Sequence, residues 1–349
     1  MHIKKAGIKT GFIYFFIHFM VEIICFFYLS KVTNNSIYIW IVPFAYDAMA
    51  FVPQGLIGYL SDKYPKINIG LIGVLFFIIS YIIFCFTNIS VYISLILLCL
   101  GNAFLHVAGA EDTLRTSNGK LSPSAIYVAG GSFGVISGRL LAKTSFNPAY
   151  MFIVILLIIP LVLLSKKYIT KDSNTDNFNY VKEEINTGLV IVIAVLVVTI
   201  RGYMGYGIPI SWNKTVIQTI ILFSIMGLGK ALGGILSDIF GIKKIAIISC
   251  LASIPFLCFG DNNMFISLIG VMFFSITMSI TLAILVSKLK NIPGVAFGLT
   301  TIGLFLGTIP VFFIRISMIQ NIILIIVASI LCALALSYVL KDDKKWTYF

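Results

Sequence analysis

A few ionisable side chains inside long apolar segments are the residues of this chain whose types and spacing suit chemistry. Glu22 lies in the first apolar segment and Asp47 in the second. An ionisable group at bilayer depth costs about 2.5–3.5 kcal/mol on insertion scales, so each such group is a functional candidate. Burial in apolar surroundings favours the protonated form of a carboxyl group, which allows it to carry a proton. Glu22 and Asp47 are therefore the predicted proton-coupling carboxylates.

Two histidines join these carboxylates as proton-coupling candidates. His18 lies four residues before Glu22, on the same face of a helix. His106 shares a face of a later segment with Asn102. Imidazole can relay protons near neutral pH, and a hydrogen bond between two helices is the equally weighted alternative for both rings.

Basic and amide side chains at similar depth are the candidates for lining a substrate cavity. A lysine there can bind an anionic group of a substrate, neutralise Asp47 or extend toward the membrane surface, and all three interpretations stay open. An ion pair with a nearby cation is likewise the alternative role for Glu22 and Asp47. Three cations against two carboxylates lean toward a substrate with an anionic group. The cavity candidates are Lys230, Arg139, Arg201, Asn102 and Gln54.

The composition indicates which solvent surrounds the elements that carry these side chains. Of the 349 residues, 59% are hydrophobic and only 11% are charged. About a quarter of the residues are charged in a soluble domain, so the bilayer must be the solvent for most of this chain. A spanning helix needs about 20 mostly apolar residues, and twelve segments meet that requirement. They lie near 8–30, 37–60, 67–86, 89–110, 122–143, 146–165, 187–207, 215–237, 243–260, 262–287, 292–314 and 319–340.

The basic residues predict the orientation of these segments. With the N-terminus inside, 18 of the 25 Lys and Arg residues fall in inner loops and tails, whereas Lys31 and Lys214 are the clear outer ones. The positive-inside rule therefore predicts a multi-pass protein of the inner (plasma) membrane with both termini in the cytoplasm. The net charge of +12 follows from this topology, so we expect no nucleic-acid partner.

The longest polar stretch divides the chain into two parts. It covers residues 166–186 and is predicted to be a cytoplasmic linker. The prediction is an N-terminal six-helix bundle over 1–165 and a C-terminal six-helix bundle over 187–349.

An internal repeat supports this division. The sequence QGLIGYLSDK at 54–63 and the sequence KALGGILSDI at 230–239 are 176 residues apart, about half the chain. Internal repeats of this kind are typical of transporter folds. Glycine allows two helices to approach closely, and an aspartate at a helix junction can meet the positive N-terminal end of a neighbouring helix or a basic side chain.

The repeated residues resemble the motif G-x-L-[AS]-D-[RK]-x-G-[RK]-[RK] of the major facilitator superfamily, although Pro65 replaces the motif's glycine in the first copy. The resemblance implies an all-α membrane protein with twelve transmembrane helices in two pseudo-symmetric six-helix bundles. It also implies secondary active transport by alternating access, with the motif as a conformational switch. The matching residues are Gly58, Leu60, Ser61, Asp62 and Lys63, then Gly234, Leu236, Ser237, Asp238, Gly241, Lys243 and Lys244.

A narrower set of residues is similar to the fosmidomycin-resistance branch of that superfamily. The set comprises His18, the sequence GNAFLH at 101–106, and the glycines of 130–138. This resemblance implies proton-coupled export of a small organic compound or drug. Proton-coupled uptake of a small organic anion is the alternative among transport functions, and a monomer is the expected state in the bilayer.

Other classes of function have little support in the sequence. His18 and Glu22 are spaced H-x-x-x-E rather than H-E-x-x-H, no G-x-S-x-G is present, and neither Gly119-Lys120 nor Gly229-Lys230 belongs to a P-loop. We therefore predict no enzyme activity, no cofactor and no metal site. The half-chain repeat argues against a membrane receptor or assembly protein without transport, which stays as the alternative from another class.

Overall fold

The computed structural model describes residues 2–33, 41–87, 90–170 and 173–343, and these residues are almost entirely helical. A short 3₁₀ turn, Pro148–Tyr150, precedes the seventh of the α-helices. The helices are α1 His2–Thr33, α2 Ile41–Phe51, α3 Pro53–Lys63, α4 Ile69–Phe86, α5 Val91–Thr116, α6 Ser122–Ala142, α7 Met151–Lys166, α8 Thr187–Gly207, α9 Val216–Phe240, α10 Ile242–Phe259, α11 Met264–Ile276, α12 Met278–Lys288, α13 Pro293–Phe313 and α14 Met318–Val339.

Twelve membrane crossings are built from these helices. Within the described ranges, twelve helical segments are long and apolar enough to cross a membrane, which confirms the predicted number and the all-α class. The helices α2 and α3 form one crossing, interrupted at Val52 because Pro53 has no backbone N–H to continue the ladder. The helices α11 and α12 form another, interrupted at Thr277.

The predicted end of the fourth segment differs from the structure at α5. This helix continues to Thr116, six residues past the predicted end at 110, so Arg115 lies in a helix and not in a loop. The extension places charged residues where partners satisfy them: Asp112 accepts from Tyr14 and Lys166, and Arg115 pairs with Glu111. The predicted start of the second crossing, residue 37, lies outside the described residues.

The packing of α1 against α6 is the most extensive helix–helix contact. Gly130, Gly134 and Gly138 form a stripe on α6, and a methyl group at any of them would overlap the α1 backbone. At Gly130 the overlap would be with the carbonyl of Phe15. Small residues at helix contacts in membranes allow this close approach, so the stripe serves packing.

The linker is held at one end of the molecule, called here the linker side. The linker backbone bonds to the C-terminal strand-like segment, where Val181 bridges Leu340 and Lys341 N donates to the carbonyl of Tyr180. The side-chain hydroxyl of Tyr180 donates to the carbonyl of Gly119, in the loop between α5 and α6. The linker therefore contacts both the first seven helices and the last seven.

We expect Gly130→Ala to lower the melting temperature of the purified protein in detergent. The added methyl group overlaps the backbone of α1, and overpacking of this kind costs about 1–3 kcal/mol. Gly205→Ala is the matched control, because its methyl group meets only Phe274, at 3.8 Å. Equal melting temperatures for Gly130→Ala and the wild type would contradict the packing assignment.

Candidate functional site

A compact cluster of His18, Glu22 and His106 lies between α1 and α5. The Nε2 atoms of the two histidines are 2.9 Å apart, and Glu22 Oε1 lies 3.4 Å from His18 Nε2 and 3.3 Å from His106 Nε2. Each of the three residues is 8% exposed. The structure therefore brings together three of the four predicted proton-coupling candidates.

The hydrogen bonds around the cluster decide the tautomers of the two rings. His18 Nδ1 lies 3.1 Å from the carbonyl oxygen of Tyr127, and His106 Nδ1 lies 2.9 Å from that of Asn102. A carbonyl only accepts, so both Nδ1 atoms donate, and a neutral ring then carries its lone pair on Nε2. The Nε2 lone pairs of His18 and His106 and the Oε1 atom of Glu22 therefore face a common centre. A bound cation would stabilise this arrangement.

Close helix packing makes room for this cluster. A methyl group at Gly131 would overlap the His18 ring, and one at Gly134 would overlap the backbone of Phe19 and the side chain of Glu22. The α6 glycines thus hold α1 close while leaving space for the imidazole and the carboxylate. The glycines lie in the sequence of α6, but the side chains that require them, His18 and Glu22, lie on α1.

Asp47, the fourth candidate, is not one of the three residues in contact in the cluster. Its carboxylate interacts electrostatically with Glu22 and Arg139. Among the described residues, Asp47 and Lys230 form no ion pair within 4.0 Å. Arg139 interacts electrostatically with Asp47, so the structural ion-pair role of Asp47 stays an alternative. Glu22 lies within 4.0 Å of both histidines.

The predicted cavity cations occupy three different environments. Arg139 is exposed, and its guanidinium lies 5.0 Å from the ring centre of Phe26 and 5.6 Å from that of Phe223. Lys230 is partly buried, close enough to Glu22 for their charges to interact. Arg201 lies 4.2 Å over the ring of Phe274, away from the cluster.

The two predicted amide candidates are buried and bonded within the first seven helices. Asn102 donates to Tyr46 Oη at 3.0 Å and to Cys25 Sγ at 3.4 Å. Gln54 is fully buried and donates to the carbonyl of Ala50, one turn earlier in its own crossing. Gln54 therefore has different surroundings from Lys230, although the two occupy equivalent positions in the repeat.

At the linker side, Asp62 joins the two sets of helices. Its carboxylate accepts from the backbone N–H groups of Gly294 and Val295, at 3.2 and 2.9 Å, at the N-terminus of α13. Arg115 also donates to Asp62, at 3.3 Å. A methyl group at Gly58 would overlap the backbone of Gly294, so this glycine allows the approach.

The second copy of the motif makes the equivalent contact in the opposite sense, from the last seven helices to the first seven. Asp238 accepts from the backbone N–H groups of Leu121 and Ser122, at 2.9 and 3.0 Å, and from the Ser122 hydroxyl, at the N-terminus of α6. A methyl group at Gly234 would overlap Ala125 and the carbonyl of Leu121. Carboxylates are stabilised at helix N-termini by free N–H groups and by the helix dipole.

The lysines of the motif lie away from these carboxylates. Lys63 packs over the rings of Tyr59 and Tyr64, and Lys243 pairs with Asp342 at 2.6 Å. The backbone partners of the two aspartates were not among the predicted residues. Proline in the first turn, Pro123 in α6 and Pro293 in α13, is the sequence signal that could have located those helix starts.

A polar network that sequence analysis missed lies beside these contacts. Tyr14 donates to Asp112 at 2.7 Å and Lys166 donates to it at 2.8 Å, so α1, α5 and α7 meet at one carboxylate. Ser61 donates to Glu111, which also accepts from Arg115 at 2.8 Å.

Three solved structures that are similar to this one are described as transporters. The E. coli fucose:proton symporter FucP aligns with a TM-score of 0.66 and 12% identity, covering 95% of this chain and 97% of that chain. A FucP structure described as a major facilitator superfamily transporter in the outward conformation gives a TM-score of 0.62 and 12% identity, covering 91% and 98%. The human organic anion transporter MFSD10 gives 0.55 and 9%, covering 94% and 99%.

Comparison of the sequence with protein families and curated proteins gives no match. No protein-family model matches the chain, and no curated protein matches it. The alignments to solved structures nevertheless span nearly the whole of each chain. The chain has the fold of the major facilitator transporters.

Proposed function

We propose that this protein is a secondary active transporter that moves a small organic compound by alternating access and couples the movement to protons. The observation that carries the proposal is the pair of carboxylate contacts at Asp62 and Asp238. Both join the first seven helices to the last seven, and both lie at the linker side. The likeness to known transporters supports the same function.

The two contacts are suited to opening and closing. Hydrogen bonds to charged groups contribute about 1.5–3 kcal/mol each, which is enough to favour one conformation without locking it. Separating the helices at the linker side would release the N-termini of α6 and α13 to water, which can replace the carboxylates. We propose 1–165 and 187–349 as the two moving bodies and 166–186 as their connection.

The cluster of His18, Glu22 and His106 is the proposed proton site. Its three converging acceptors need a positive charge between them, and a proton is the smallest cation that supplies it. Asp47 is the second proposed carrier, because no cation within 4.0 Å in the described part of the chain holds it ionised.

Export is the direction that we propose, on the sequence similarity to the fosmidomycin-resistance branch. Uptake of a small organic anion is the second candidate, because Lys230 lies within electrostatic range of Glu22 and Arg139 lies within electrostatic range of Asp47. The proposed setting is the plasma membrane, with both termini in the cytoplasm and no enzymatic step. The excess of Lys and Arg on the linker side supports that orientation.

We expect Gly58→Ala to open the linker side. The methyl group overlaps the backbone of Gly294, and a strain of about 1–3 kcal/mol shifts the population ratio about 5- to 150-fold. Spin labels at positions 66 and 291, in a variant without native cysteines, report the separation by pulsed electron resonance. Gly55→Ala is the control on the same helix, since its methyl group meets only a side-chain atom, at 3.1 Å. An unchanged distance between the two labels in Gly58→Ala would contradict the proposal that the contact of Asp62 with α13 holds the linker side closed.

Cells that express the protein should accumulate less of at least one small organic compound than cells that lack it. Mass spectrometry of a metabolite and drug panel measures this. The control is the Asp62→Asn/Asp238→Asn double variant, in which neither side chain carries the charge that binds the helix N-termini. Raised accumulation of an anionic compound would favour uptake over export. An identical panel in all three strains would exclude transport of the compounds tested.

We expect Glu22→Gln to abolish transport driven by a pH gradient while leaving exchange at equal pH within about twofold. Glutamine keeps the shape of the side chain but cannot bind and release a proton in the pH range of the assay. The assay uses proteoliposomes and the compound identified by the panel. Glu184→Gln, at an exposed linker position, is the matched control. Undiminished gradient-driven transport in both Glu22→Gln and Asp47→Asn would remove the proton assignment.

A further inference from the structure

The cluster between α1 and α5 has the composition and geometry of a metal site. We propose that His18, Glu22 and His106 bind one divalent first-row transition-metal ion, with Zn²⁺ as the best fit. The proposal goes beyond the proposed transport function and is tested without a transported compound. The H-x-x-x-E spacing alone did not predict it, because the third ligand comes from α5, more than eighty residues away along the chain.

The distances match a coordination triangle. The three ligand atoms are separated by 2.9, 3.3 and 3.4 Å. The point equidistant from them in their plane lies about 1.9 Å from each, so an ion with bonds of about 2.0–2.2 Å sits slightly above that plane. An ion just outside the plane of three ligands is the tetrahedral arrangement, with the fourth position left for water or another ligand.

The surroundings prepare these atoms for a metal ion. Both histidines donate through Nδ1 to backbone carbonyls, which orients each ring and leaves Nε2 as the ligand atom. Glu22 is 8% exposed, and its second oxygen, Oε2, has no hydrogen-bond partner among the described residues. A buried carboxylate oxygen without a partner is costly, and bidentate binding or a metal-bound water would satisfy it.

The donor set selects the class of ion. Imidazole nitrogen and carboxylate oxygen suit Zn²⁺ and neighbouring transition ions, whereas Mg²⁺ and Ca²⁺ prefer oxygen ligands alone. Cys25 lies one turn after Glu22, but its Sγ accepts a hydrogen bond from Asn102 at 3.4 Å, so the proposed set is two nitrogens and one oxygen. Lys230 and Arg139 interact with Glu22 and weaken cation binding, while Asp47 opposes their effect.

A proton and a metal ion compete for this cluster. A single proton can bridge only one pair of the three acceptors at a time, whereas one metal ion contacts all three. Metal binding therefore displaces the proton that we propose for Glu22. Loss of metal binding and loss of proton coupling are nevertheless separate results, because the first is measured directly on purified protein.

The test is equilibrium dialysis of the full-length protein in detergent against Zn²⁺, followed by elemental analysis, with an affinity tag that contains no histidine. The expected content is one Zn²⁺ per chain. His18→Gln, Glu22→Gln and His106→Gln should each reduce it at least about tenfold, the range by which changes in such sites lower affinity. His2→Ala, which removes the remaining histidine of the sequence, and Asp47→Asn should keep one Zn²⁺ per chain.

A second measurement on the wild type covers the case in which a variant fails to fold. X-ray absorption at the zinc edge should show two imidazole nitrogens and carboxylate oxygen at about 2.0–2.1 Å. Sulfur in the coordination shell, a Zn²⁺ content in the wild type below a tenth of an ion per chain, or full content in a folded His106→Gln would each overturn the proposal. Equal zinc in every variant would mean surface binding only.

Discussion

Two aspartates at the linker side satisfy helix N-termini that belong to the opposite set of helices. The first N–H groups of any helix lack partners within it. Asp62 supplies acceptors to α13, and Asp238 supplies them to α6. Glycine is required one turn before each aspartate, since a methyl group at Gly58 or Gly234 would overlap the backbone of the neighbouring helix end. The two contacts therefore join the first seven helices to the last seven at the linker side.

The sequence predicted the elements better than their partners. Apolar length is a local property, so twelve crossings could be counted, and the repeated motif singled out both aspartates. The acceptor–donor pairs could not be predicted in the same way, because Asp62 and Gly294 are 232 residues apart. The extension of α5 was missed for a related reason: its charged last turns are stabilised by Tyr14 and Lys166, which lie on other helices.

The contacts of the buried polar residues were also hard to predict, because they depend on residues far away in the sequence. The four-residue spacing of His18 and Glu22 predicted a shared face, but His106 joins them only because the glycines of α6 set the position of α1. The repeat made Gln54 and Lys230 equivalent along their helices, although it carries no information about what each side chain faces. Gln54 bonds to its own crossing, while Lys230 lies within electrostatic range of Glu22.

The linker has an energetic consequence for the resting state. Its backbone is bonded to the C-terminal segment, whereas Tyr180 and Asn177 reach across to the loop at 118–119. If the loop moves away from the C-terminal segment, those two side-chain bonds exchange for bonds to water. Each is worth about 0.5–1.5 kcal/mol net, so each changes the ratio of closed to open molecules about 2- to 13-fold. The linker thus favours the closed arrangement of the loop and the C-terminal segment, and substitutions at Tyr180 or Asn177 would shift the ratio of closed to open molecules without touching the cluster of His18, Glu22 and His106.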